Sequence, residues 1–355
     1  MQKILKVFGL LSFFLLCHSN AGLFKINVIS TNGITADQAN AVTSLIADEV
    51  NKKLPSADTQ EDYFKGMSNA NTISAAGMTT SYAPVFKNIL VGVSVSAGAD
   101  LGSKNFTDFK NISKNPEQFR GFGGQAAILL GLSASNFVNS SWIKDHPLNF
   151  YLSGFSIQKN LDKVDAKYMG AGLGVQYKLI NEKNWGARSL KWTGIELGSG
   201  IMYSKLDIAA SIPLNDNFSV ANSGTSLDVS ITDASALLNA NVKTFSIPLE
   251  LSTGLRIAYL LKIVGGVGAD ISFGKTLGTG SLSSGNKITA VNAGNGITDA
   301  TGELDLNGSQ SPDIINPRFF FGPHIEFGFG SVFANLQKSL SKNVVAVNGG
   351  LNLFW

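Results

Sequence analysis

The chain has one cysteine, Cys17, and three histidines in 355 residues. The cysteine belongs to a leader: Lys3 and Lys6 precede a mostly apolar run over residues 7–17, and Ser19-Asn20-Ala21 follows. A charged start, a short apolar core and small residues make a secretory signal peptide, read as residues 1–21 with cleavage after Ala21. Leu15 and Leu16 stand where lipoprotein processing takes a small residue, which disfavours lipidation of Cys17. Removal of the leader leaves no cysteine, so no internal disulfide holds the exported chain together. Beyond residue 21 no apolar run approaches the roughly 18 residues of a membrane helix, so a membrane span has to be built from strands, and strands span only as a closed barrel. Blocks of one charge sign are also missing, and without Lys3 and Lys6 the chain is close to neutral. A basic stripe is what nucleic acid requires, so nucleic acid is excluded as a partner.

Catalytic and cofactor motifs are scarce as well. There is no Gly-x-Ser-x-Gly elbow and no His-Glu-x-x-His, and with isolated histidines and no remaining cysteine no metal centre is expected. Asp305, Asn307 and Asp313 offer oxygens in one loop, but their spacing is not that of a calcium-binding loop. Gly170, Gly172 and Gly174 imitate a dinucleotide motif but alternate along a strand instead of opening a helix. No cofactor and no enzymatic activity are expected.

What the chain does have is alternation. Val91, Val93, Val95, Ala97 and Ala99 share one phase, with Gly92, Ser94, Ser96, Gly98 and Asp100 in the other. The pattern returns in Met169, Ala171, Leu173, Val175 and Tyr177, and again in residues 245–255, 261–273 and 319–329. Period two with one apolar face and one small or polar face describes strands between lipid and a lumen. The expected strands are residues 89–100, 122–133, 148–158, 167–179, 190–212, 226–257, 261–273, 317–328, 331–339 and 343–355. The two central segments exceed the roughly 9 to 11 residues needed to span, so each either rises above the membrane or hides a turn, near Lys205 or Ala240. The fold class is therefore all-β, an antiparallel transmembrane β-barrel of about 10 to 14 strands over residues 87–355.

Ahead of the barrel, residues 22–86 read as an N-terminal helical plug or periplasmic segment. Thr35 with Gln38 forms a capping box before Val42, Leu45, Ile46 and Val50 at helical spacing, which predicts a helix over residues 34–54 ended by Pro55. A second helix is expected over residues 61–71. The stretch 274–316 is long and rich in Gly, Ser, Asn and Thr, and its candidate strands 287–291 and 302–306 suggest a hairpin over the barrel mouth.

With both barrel ends on the periplasmic side, Trp142, Trp185, Trp192 and Trp355 all fall near one rim, as a membrane girdle requires. Val345, Val347, Gly349, Leu351, Leu353 and Trp355 are in phase, and a last strand ending in an in-phase aromatic resembles the C-terminal signal of bacterial outer-membrane proteins. That resemblance implies outer-membrane lipid and the barrel assembly machinery as partners, in a Gram-negative bacterium. The layout of helix, Ala/Ser/Thr-rich linker and Gly-rich barrel, with phrases such as Tyr168-Met169-Gly170-Ala171-Gly172-Leu173, resembles uncharacterised outer-membrane barrel families and implies no particular activity.

The lumen phase holds the candidate functional residues: Glu196, Glu250, Arg256, Lys262, Asp270, Arg318, His324 and Glu326. Charges of both signs in a lumen tune the selectivity of a channel, or brace an interior that is closed. His324 and Glu326, two residues apart on one strand, point the same way and would need a serine from a neighbouring strand to act as a hydrolase. The expectation is a passive pore or passage for small or hydrophobic solutes, with a structural or surface-binding barrel as the alternative.

Overall fold

The computed structural model describes residues 26–28, 60–76, 86, 88–102, 120–161, 164–185, 190–213, 216–222, 225–232, 235–258, 260–282, 287–292, 297–300, 302–304 and 306–355. Ten strands form the wall: β1 (Ile89–Asp100), β2 (Gly121–Ser133), β3 (Leu148–Leu161), β4 (Val164–Ile180), β5 (Leu190–Pro213), β6 (Ser235–Ile257), β7 (Leu261–Leu282), β8 (Ile315–Phe327), β9 (Gly330–Ser339) and β10 (Val344–Phe354). Each pairs antiparallel with its sequence neighbours, and β10 returns to β1 with Val344 opposite Asp100 and Phe354 opposite Leu90. The result is a closed up-and-down barrel without a free edge in the wall.

Alternation decides the two faces. On β4 Leu173 is 60% exposed on the outside, whereas Glu250 on β6 is 2% exposed on the inside. Val93, Ile128, Leu152, Val267, Phe321 and Ile325 continue the outer apolar belt. The inner face is mostly Ser, Asn, Gln and charged side chains, with apolar clusters at Leu90, Leu129 and Tyr151 and at Val264, Phe320 and Phe333.

Strand lengths are uneven. β5, β6 and β7 have 24, 23 and 22 residues, against 12 in β1 and 10 in β9. One side of the barrel thus rises well past the length needed to span. Of the two alternatives for the central segments, the extended strand is the one found at Lys205 and Ala240: neither marks a turn, because Ala240 pairs with Ile208 and Lys205 with Lys243 in a continuous ladder. The break in the second long segment lies earlier: Thr225–Thr232 leaves the wall and joins Asp216–Asn222, Lys287–Asn292 and Ile297–Ala300 in a separate four-stranded sheet. The hairpin expected between strands 287–291 and 302–306 is also replaced. Lys287–Asn292 pairs with Ile297–Ala300 and Thr225–Thr232, while Gly302–Leu304 pairs with Ile26–Val28. Alternation specifies which face a strand shows but not which strand it pairs with, and a short connection favours the nearest partner.

The second expected helix forms as α1, Gln60–Ala76, longer at both ends than residues 61–71. The first, over residues 34–54, lies outside the described residues, as does the leader.

Candidate functional site

The lumen is occupied by α1. Its Phe64, Met67, Ala70 and Ile73 are buried, and so are its polar Ser68, Asn71, Thr72 and Ser74. A helix buried on every side but rich in Ser, Asn and Thr needs polar partners around it, and the wall provides them. Asn71 Nδ2 donates to Ser204 Oγ on β5 at 3.1 Å and to Thr244 Oγ1 on β6 at 2.8 Å. Gln125 Nε2 on β2 donates to the Asn71 carbonyl at 2.9 Å, and Ser68 Oγ lies 2.5 Å from Thr276 Oγ1 on β7. Within the helix, Thr72 and Ser74 hydroxyls donate to the carbonyls of Ser68 and Ala70. Burial pushes the Tyr63 phenol pKa up from its ordinary value.

Glycines make the close approach possible. A Cβ on Gly123 of β2 would lie 2.3 Å from the Asn71 nitrogen, and one on Gly98 of β1 would lie 2.6 Å from the Ala70 carbonyl oxygen. Gly123→Val is therefore expected to unseat α1 while leaving the outer face of β2 untouched. Hydrogen exchange of the α1 amides in the folded barrel checks this, and unchanged protection would contradict the packing described.

Towards the end of the barrel that carries its shorter connections and Trp355, side chains take over. Arg318 on β8 is fully buried, with its Nε donating to Asp270 Oδ2 on β7 at 2.8 Å and its Nη2 to Glu250 Oε1 on β6. Its guanidinium stands 5.6 Å from the Phe320 ring centroid. The register explains the cluster, since Arg318 sits opposite Gly268, which leaves room between Glu250 and Asp270. Glu196 accepts from Lys178 Nζ at 2.8 Å and from Gln176 Nε2 at 2.7 Å, and Tyr151 donates to Gln176 Oε1 at 2.6 Å. Glu326 pairs with Arg256, with Lys262 Nζ 3.9 Å away. Pairs and networks of this kind keep buried charges tolerable.

All eight lumen-phase candidates thus lie on the inner face, and seven of them form three separate ionic groups. His324 is buried against Phe333, ring centroids 5.4 Å apart, and Glu326 is engaged with Arg256 instead of His324. Among the described residues no group of three or more His, Cys, Asp or Glu side chains is placed to hold a metal. Sequence reasoning missed Lys178, Gln176 and Tyr151, although their inward phase on β3 and β4 was available. It also missed Ser204, Thr244 and Thr276, whose only signal is a polar residue in the lumen phase, and Asn71, which lies on α1 and has no strand phase at all.

At the rim, Trp142 lies in the short helix α2 (Ser141–Asp145) and stacks on Tyr177 with centroids 5.5 Å apart. Trp185 stacks on Trp192 at 6.5 Å, and Trp192 Nε1 donates to Thr253 Oγ1 at 2.8 Å. Phe137, Leu260 and Phe329, like Trp355, are exposed at the same end.

These features define a closed, antiparallel ten-stranded β-barrel with an apolar exterior and an ionic, helix-filled interior. The chain belongs to the Lsa36-like family, whose profile matches residues 24–355. No curated protein matches it. Among solved structures it is similar to the translocator domain of the autotransporter NalP from Neisseria meningitidis, at 11% identity and a TM-score of 0.33, over 77% of this chain and 90% of that one. LpxR from Salmonella typhimurium is 9% identical over 74% of this chain and 100% of that one, with a TM-score of 0.24. The toluene transporter TodX of Pseudomonas putida is 8% identical over 82% and 95%, with a TM-score of 0.22.

Proposed function

We propose that the protein is a Gram-negative outer-membrane barrel that α1 keeps closed at rest, and that acts through its outward-facing loops without catalysis. The observation that carries this reading is the seating of α1 by hydrogen bonds to β2, β5, β6 and β7, which fills the lumen that an open pore needs. The uneven wall and the four-stranded sheet between β5–β6 and β7–β8 raise a platform at the end opposite the short connections, and long connections face outward in such barrels. Export with residues 1–21 as signal peptide, outer-membrane lipid around the apolar belt, indole rings at the inner headgroup level and recognition of the last strand by the assembly machinery complete the reading.

Fractionated outer membranes test it on gels of unheated and boiled samples. A band that shifts on boiling and sits in the outer-membrane fraction is expected. The purified full chain is expected to give no steady conductance in a planar bilayer. A soluble protein without a shift would remove the membrane reading, and a constant open current would return the open pore to first place.

A further inference from the structure

We propose that the outer wall of β5, β6 and β7 carries a binding site for the phosphate groups of lipid in the loop-side leaflet, formed by Lys205, Lys243 and Lys275. The inference rests on the outer-membrane reading above and adds a specific lipid contact to it.

Register brings the three lysines into one row. Lys243 on β6 stands directly opposite Lys205 on β5 and Lys275 on β7. All three point outward, since their strand neighbours Ser204, Thr244 and Thr276 are buried on the lumen side. Strands lie about 4.8 Å apart, so the three side chains leave the wall within about 10 Å of one another. Like charges directly opposite on neighbouring strands destabilise a sheet. One carboxylate answers them: Asp207 accepts Lys205 Nζ at 2.7 Å, and it also accepts the Asn241 side-chain nitrogen. Lys243 and Lys275 are exposed and make no ion pair among the described residues. The row is therefore short of negative charge.

Its height says where the missing anion comes from. One outward position below each lysine, towards the short connections, stands an aromatic ring: Tyr203, Phe245 and Phe273, again opposite one another. Below the rings the outward positions of the three strands carry no charge down to Leu255, which faces Trp192 at the other rim. At about 3.4 Å per residue and a tilt of about 40°, residues 245–255 climb about 26 Å, close to the apolar band of about 25 Å in barrels of this kind. The rings thus mark the upper edge of the hydrocarbon, and the lysines stand at the headgroups. β5, β6 and β7 run on to Pro213, Ser235 and Leu282, so the row lies at the foot of the raised wall and faces sideways into the leaflet. A water-borne polyanion meets the top of that wall first, whereas a lipid phosphate is already level with the lysines.

The test uses the folded full chain in micelles of a neutral detergent, with fluorescent diphosphoryl lipid A as the probe and the same glycolipid stripped of its phosphates as the comparison. The wild-type barrel is expected to bind the phosphorylated form more tightly. A lysine near anionic lipid contributes about a fivefold gain in binding, so Lys205→Gln with Lys243→Gln and Lys275→Gln is expected to weaken it about 100-fold, and Lys243→Gln alone about fivefold. Lys144→Gln, at the opposite rim, is expected to change nothing. Without the glycolipid the triple variant is expected to resist urea at least as well as the wild type, because the cross-strand repulsion is gone, and added diphosphoryl lipid A is expected to stabilise the wild type alone. A heat-modifiable gel shift ties each measurement to a folded barrel. Equal binding of the two glycolipids by a wild-type barrel that shows this shift overturns the lipid site and leaves the membrane reading standing. Loss of dextran sulfate binding in the variants, with glycolipid binding unchanged, assigns the row to a soluble polyanion and also overturns it. A soluble protein without a shift removes the leaflet, and the membrane reading with it.

Discussion

Arg318→Met is expected to be the most damaging single change in the barrel, lowering its stability by about 3 to 5 kcal/mol. The guanidinium is the counter-charge of both Glu250 and Asp270, and all three groups sit without solvent on the inner faces of β6, β7 and β8. Methionine fills much of the same volume but leaves two carboxylates facing each other in the interior. Urea unfolding of the detergent-solubilised barrel, followed by the loss of its heat-modifiable band, measures the cost. Combining Arg318→Met with Glu250→Gln and Asp270→Asn is expected to recover a large part of it, because the burden is uncompensated charge and not lost packing. Equal losses in the single and triple variants would show that the guanidinium acts through shape.

The second large effect is expected on the opposite face. Leu173 lies in the middle of β4 and points outward, flanked across the ladder by the exposed Leu152 and Ile201. In lipid, Leu173→Arg is expected to cost about 2 to 4 kcal/mol near the midplane. In a water-soluble barrel the same change at an exposed position is nearly free, within about 0.5 kcal/mol. Folding of the variant into vesicles, compared with Leu173→Ala, separates the two. A neutral outcome for arginine would remove the membrane reading of the belt.

The two substitutions sit on opposite faces of a wall whose inside and outside were legible beforehand. A strand has a side-chain period of two, so the residues of each phase can be assigned without knowing any partner strand. That is why Glu250, Asp270 and Arg318 were placed in the lumen phase from their numbers alone. Their union into one cluster was not legible. It depends on ladder register across three strands, and a slip of two residues would keep every side chain on its face while separating the charges.

The same limit explains the loop-end strands. Residues 287–291 and 302–306 were recognisable as extended, yet one stretch joins the four-stranded sheet and the other meets Ile26–Val28 from the start of the chain. Pairing of this kind depends on which strand edge is brought near by the rest of the fold, which alternation does not encode. α1 shows the limit most plainly. The residues of Gln60–Ala76 allow a helix, but their mixture of Ser, Asn and Thr with Phe, Met and Ile names no face. Only a lumen with hydroxyls on several strands and glycines on two others makes such a surface worth burying.

The sequence by itself determined that the chain forms strands, which side of each strand faces the apolar exterior, and a count of about 10 to 14 strands. Local periodicity and composition carry that information. Only the tertiary structure decided the count of ten, the partners of the buried charges and the place of α1, because these rest on register and on contacts between residues far apart in the chain.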